Sequence, residues 1–316
     1  MKNRQITIII SLFLSLLISS TITSSESADI IKQKIIQTYT SDTVYVGGDG
    51  PQNYSRIQDA VDNATTGDVI YVYNLSSPYY ENIIITKNNI QLIGQDKFST
   101  IIDGNGMSHV IKIDADHVTI QGFTIQNSGS IDYPDYDAGV YLLYPSDHNN
   151  ISNNIVINNL NGICLQASKN NTLSRNIVSN NVKGFLIFAD SVFNNIFSNN
   201  VENNNYGFYT SFTVYNNISE NNIVNSSEYG MYFYFVRLCT IKKNNFMNNT
   251  NHVYFIERLR LAFDRNFWIR NYWDTWIGFG PKILKGQMFT EWVGQKLFPW
   301  INFDWFPASK PYTYVL

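Results

Sequence analysis

Three carboxylates, Asp132, Asp135 and Asp137, fall within six residues, with Tyr133 and Tyr136 between them. Paired carboxylates about 5–10 Å apart act as acid and base on a glycosidic bond. The same oxygens suit Ca2+, and the tyrosine rings suit sugar faces. The plain alternative is a solvated acidic loop. Further on, Asp147 and His148 are adjacent. An Asp–His pair does base chemistry only where both side chains reach one proton, and neighbours in sequence seldom point the same way. His109, His117 and His252 have no ligand spacing, which speaks against a copper site. These residue types call for no cofactor, with Ca2+ in the acidic loop as the one candidate ion.

A repeat must position these groups. From Asn149 the chain runs Ile151, Asn154, Val156, Asn159, Gly162; the next units start at Asn171, Asn194, Asn216, Cys239 and Leu261, in steps of 22, 23, 22, 23 and 22. Looser units start at Asn88 and Asp116. The apolar residues alternate over segments too short for a helix and right for strands joined by turns. One such winding cannot bury its apolar side alone, whereas stacked windings share a core and satisfy one another's backbone. The pattern therefore predicts an all-β parallel β-helix of about 22 residues per coil. Bend asparagines should form ladders: Asn149/171/194/216; Asn154, Asn176, Asn199, Asn221, Asn244 and Asn266; and Asn159/181/204/249/271. Gly at the last bend suits a left-handed or crowded backbone. A two-sheet sandwich gives no reason for so regular a period.

The step from Asp116 to Asn149 is 33 residues, and the excess falls in Ser128–Ala138, the acidic loop. Insertions between coils are where solenoids carry function. If Val140, Ile163, Phe185, Phe208 and Met231 point inward, the next residues (Tyr141, Cys164, Leu186, Tyr209, Tyr232) and those two further on (Leu143, Gln166, Phe188, Ser211, Tyr234) point outward. Such a strip is a binding surface unless the aromatic tail or a partner chain covers it. Tyr141, Tyr209, Tyr232 and Tyr234 are its candidate saccharide contacts. Cys164 and Cys239 lie three to four coils apart, so their Cα atoms exceed the ~7 Å reach of a disulfide.

The ends differ from the repeat. Lys2 and Arg4 precede an apolar run, Ile6 to Ile18, of about 13 residues, shorter than the ~20 of a spanning helix. Residues 1–28 read as a signal peptide and 29–41 as a linker. Residues 42–87 read as an N-terminal cap and first coils, with a helix opened by a capping box at Ser55 and Gln58. Repeats fill 88–274. Residues 275–316, with Trp276, Trp292, Trp300 and Trp305, read as an aromatic cap. The expected localisation is secreted, periplasmic or cell-surface, with no membrane span once the signal is removed. Asn53, Asn63, Asn74, Asn150, Asn170, Asn217, Asn225 and Asn248 head N-x-S/T triplets. About 40 asparagines argue against a helical bundle. A net charge of −3 gives no footprint for nucleic acid.

Units Asn171–Gly184 and Asn194–Gly207 resemble the repeat of NosD-like proteins and of carbohydrate-binding and sugar-hydrolysing β-helices. The stretch from Ser55 to Gly94, with Ile57-Gln58-Asp59-Ala60-Val61 and Gly67-Asp68-Val69-Ile70, is similar to the opening of that superfamily, pectin methylesterases included. The resemblance implies a right-handed single-stranded β-helix, in keeping with the handedness of parallel crossovers. For NosD itself it implies copper supply to an exported nitrous oxide reductase, a role no residue here carries over. The pectin-enzyme motifs G-T-V-D-F, the set N-T-D, D-D, G-H-G and R-I-K, and R-x-P-x-x-R are absent. The expectation is a non-catalytic exported β-helix binding carbohydrate or a surface polymer. Its rivals are a polysaccharide lyase or hydrolase, a structural or adhesive surface protein, and a NosD-like accessory to copper-site assembly.

Overall fold

The structure, a computed structural model, describes residues 41–258, 264–290 and 296–314. The segment read as signal peptide, the linker up to residue 40, and Trp292, Leu261 and Phe263 lie outside the described residues.

From Thr43 the chain winds into a right-handed parallel β-solenoid of about 10 turns. Each coil uses short strands because each bend places a residue in the left-handed region: Asn153, Asn158, Ala167 and Asn170 in one coil, Arg175, Asn180 and Ala189 in the next. Neighbouring coils pair in parallel, Ile151 on Leu173, Leu173 on Ile196, Ile196 on Ile218 and Ile218 on Ile241, which reproduces the 22- and 23-residue steps. Val140, Ile163, Phe185, Phe208 and Met231 stack inside and are fully buried.

The ladders hold the bends. Asn176 Oδ1 accepts the Asn154 N–H at 3.0 Å, while its Nδ2 donates to Ile151 O at 2.8 Å and Asn199 Oδ1 at 3.1 Å. The column runs on through Asn221 and Asn244. It then departs from the predicted list: Asn244 bonds to Asn271, 27 residues on, and Asn266 takes the place after Cys239 in the first column. The coil joining them is longer than 22 residues, so Asn266 does not belong to the Asn154 column and Asn271 does not belong to the third. Ser226 stands between Asn204 and Asn249 in that third column: its N–H donates to Asn249 Oδ1 at 2.9 Å, but its hydroxyl has no partner among the described residues, so the ladder is interrupted there. The bend glycines 162, 184, 207 and 230 are crowded, not left-handed: a Cβ on Gly184 would lie 2.6 Å from Gly207 O.

The N-terminal helix, Ile57–Asn63, buries Ile57, Ala60 and Val61. The predicted capping box does not form. Arg56 is the N-cap and makes no side-chain bond. Glu81, from the neighbouring coil, accepts the N–H groups of Ile57 and Gln58 at 2.8 and 2.9 Å. A carboxylate across two orphan donors and the positive helix end makes a hydroxyl cap redundant. At the other end, strands Lys282–Thr290 and Lys296–Asp304 form an antiparallel hairpin. Buried Asp304 terminates the second ladder, accepting from Arg270 N, Asn271 N and Nδ2, and Trp273 Nε1 at 2.8–3.2 Å.

Candidate functional site

The widest side of the solenoid is built by five six-residue strands and a longer sixth: β1 (Ala138–Leu143), β2 (Asn161–Gln166), β3 (Lys183–Phe188), β4 (Tyr206–Ser211), β5 (Tyr229–Tyr234) and β6 (Asn251–Arg258). Their in-register parallel pairing sets Tyr141 beside Cys164, Cys164 beside Leu186, Leu186 beside Tyr209, Tyr209 beside Tyr232 and Tyr232 beside Tyr254.

The Ser128–Ala138 loop covers one end of this strip. Tyr141, Cys164 and Leu186 are buried beneath it with Ala138, and Tyr136 packs on Phe188 with ring centres 4.6 Å apart. The loop carboxylates have separate jobs. Asp137 is buried and accepts the Ile131 N–H at 2.9 Å. Asp132 meets Lys183 Nζ with both oxygens, at 2.7 and 2.8 Å. Asp135 is exposed, as is Tyr133. The three do not converge, so the loop fastens a cover onto the solenoid. Beneath it His109 stacks on Tyr141 at 4.2 Å, and the Tyr141 hydroxyl donates to Gln166 Oε1. Burial lowers the His109 pKa and raises those of Tyr141 and Cys164.

Beyond the loop the strip is half-exposed and tyrosine-rich. Tyr209, Tyr232 and Tyr254 form one column, with ring centres 5.0 and 5.8 Å apart and planes within about 21°. Tyr206 and Tyr229 form a second, stacked at 6.0 Å. The columns meet edge-on, Tyr206 to Tyr209 at 5.5 Å and Tyr229 to Tyr232 at 5.6 Å. Lys183 Nζ lies 5.5 Å from the Tyr209 ring centre, which joins the loop's ion pair to the columns. Burial pushes the Tyr232 phenol up to about 12, so the hydroxyl stays protonated at neutral pH. Tyr234 stands aside, against Phe212 and Phe235. Sequence reasoning missed Tyr206, Tyr229 and Tyr254. The first two precede the bend glycines, and the third lay beyond a count that stopped where His252 replaces glycine.

Asp147 and His148 do not come together as a pair. The Asp147 carboxylate accepts the Lys169 N–H at 2.6 Å, while His148 stacks on His117 at 5.0 Å. His252 Nε2 lies 2.8 Å from Asp274. Both cysteines are free and buried. No group of three His, Cys, Asp or Glu that could hold a metal ion occurs among the described residues, and no described helix is long and apolar enough to cross a membrane.

A family model described as periplasmic copper-binding protein (NosD) matches residues 61–282. No curated protein matches the chain. Among solved structures, ORF18 of Geobacillus virus E2 is similar at 15% identity and a TM-score of 0.51, over 85% of this chain and 65% of that one. This chain thus spans less than two thirds of that protein's length. The pectin methylesterase from Yersinia enterocolitica is 14% identical over 63% of this chain and 81% of its own, with a TM-score of 0.46. The A-module of the Azotobacter vinelandii mannuronan C-5 epimerase AlgE4 is 13% identical over 68% of this chain and 73% of its own, with a TM-score of 0.43. At such identities the likeness concerns the fold alone.

Proposed function

The chain belongs to the NosD family, and from that premise we propose that it is an exported, non-catalytic β-helix that binds an extended carbohydrate or another surface polymer along its tyrosine face. The observation that carries this reading is the pair of tyrosine columns, repeated once per coil and half-exposed beside the Asp132–Lys183 pair. Each ring turns a face to its neighbour in the next coil, so a ligand meets ring edges and hydroxyls. Recognition is then by a row of hydrogen bonds about 4.8 Å apart, suited to a polymer lying along the solenoid axis.

The non-catalytic part of the reading is supported by the loop chemistry: Asp137 and Asp132 are engaged, which leaves Asp135 alone. Copper, named in the family's description, fits the described residues poorly. His117 and His148 offer two exposed imidazoles without a third donor, and the thiols are buried.

A glycan array with the secreted protein, beside a Tyr209→Ala/Tyr232→Ala variant, tests the proposal. We expect polymer binding that the variant loses by about tenfold or more. Unchanged binding by the variant would remove the tyrosine face from the account.

A further inference from the structure

A lengthened step near the C-terminal end of the solenoid opens a cleft. Strand β6 runs eight residues where β1 to β5 run six, and the coil it begins takes 27 residues to return to register. Hairpin strand Lys282–Thr290 continues alongside, Ile256 facing Gln287, Glu257 facing Met288 and Arg258 facing Phe289. Between this splayed arm and the bends at Phe212 and Phe235 lies a cavity of about 280 Å3. That is near the lower end of ligand pockets, about 300–1,000 Å3, and suits one ring-sized molecule and not a polymer.

Among the described residues three arginines line it, Arg237, Arg258 and Arg265, in a chain with only 15% charged residues. Arg237 is ion-paired to Asp264 at 2.8 Å. Arg258 lies over the Phe235 ring at 4.4 Å and Arg265 over Trp300 at 5.3 Å. Among the described residues neither has a carboxylate at ion-pair distance. An arginine laid flat on an aromatic ring keeps its N–H edge free, and that planar fork matches a carboxylate. Of the negative groups in the wall, Asp264 is taken by Arg237, and Glu257 is buried, accepts from Asn302 at 2.8 Å and feels the Arg265 charge without an ion-pair contact. Asp190 remains as an acceptor for hydroxyls. Phe212, Met288 and Trp300 supply apolar wall.

We propose that this cleft is a second binding site, separate from the tyrosine face, that takes the carboxylate of an acidic sugar, a hexuronate, on Arg258 and Arg265, with the apolar face of its ring against the aromatic wall. The two guanidinium groups select for the charge. The aromatic wall selects for a ring over a bare anion.

Isothermal titration of the full chain tests this with glucuronate and galacturonate, their uncharged counterparts glucose and galactose, and inorganic phosphate. Binding of at least one uronate at a single site is expected, about tenfold or more tighter than its neutral counterpart and tighter than phosphate. Arg258→Ala and Arg265→Ala should each weaken it by about tenfold. Arg258→Gln, which keeps the stem to Cδ and a polar end without the charge, should lose affinity while its melting temperature confirms the fold. Tyr209→Ala/Tyr232→Ala should bind the uronate unchanged, so failure of the polymer reading and failure of this one are separable. Equal affinity for charged and neutral sugars, tighter binding of phosphate, insensitivity to both arginine variants, or loss in the tyrosine variant would each overturn the proposal.

Discussion

At the scale of single residues, each ladder asparagine satisfies several buried groups at once. Asn199 accepts the Asn176 N–H at 3.0 Å and donates to Leu173 O and Asn221 Oδ1, both at 2.9 Å. Asn199→Ala orphans buried groups worth about 1–3 kcal/mol each, so urea unfolding should show a loss of about 3 kcal/mol or more; a loss under ~1 kcal/mol would mean that the ladder contributes little. Cys239 is the converse case. It occupies an asparagine position but offers Asn216 N only a thiol at 3.4 Å, so Cys239→Asn should stabilise by about 1 kcal/mol. Glu257 gives a pH signature. Burial raises its carboxyl pKa above 4.5, outweighing the opposing Asn302 bond and Arg265 charge. The folded state therefore binds more protons than the unfolded one above the unfolded pKa, and stability is lost as pH rises through the folded value. Glu257→Gln should raise the melting temperature at pH 7 to 8 and leave it unchanged at pH 4; a gain that is the same at both pH values contradicts this.

At the scale of elements, strand, bend and ladder could be read from the asparagine spacing, since each coil needs the same groups satisfied at the same places. The spacing failed where it imitated itself. Leu261, Phe263 and Asn266 reproduce the apolar-x-apolar-x-x-Asn pattern at a 22-residue step, yet the backbone takes 27 residues and seats Asn266 one ladder earlier. Periodicity cannot separate a coil from an insertion that copies its pattern. A hint was present in the arginines of the stretch Glu257–Arg265, out of keeping with a charge-poor repeat. The loop over Tyr141 was legible as an insertion, but not where it lies, because Lys183, its partner, is 51 residues from Asp132. The bend glycines were legible as special, and the crowding at Gly184 makes the reason testable. Gly184→Ala must displace the backbone of the next coil, at a cost of about 1–3 kcal/mol, measurable by denaturation. A neutral result would mean that the coils separate more easily than their pairing implies.

At the scale of the whole molecule, each coil touches only its neighbours, so stability is a sum of local terms and the ends decide where unfolding starts. The final coil has no next asparagine to hold it. Asp304 supplies that acceptor from the hairpin, gathering the N–H groups of Arg270, Asn271 and Trp273 on one buried carboxylate. Asp304→Ala leaves those donors unpaired, at about 1–3 kcal/mol each, and should detach the hairpin from the stack. Asp304→Asn keeps an oxygen but turns an N–H2 toward other donors, so it should fall between. Hydrogen exchange distinguishes end fraying from global collapse: in Asp304→Ala, protection should fall first at Arg270 to Trp273 and the hairpin, with the coils around Ile163 and Phe185 still protected. Uniform loss of protection along the chain would show that the solenoid unfolds as one cooperative body, and that its last carboxylate is not what seals the end.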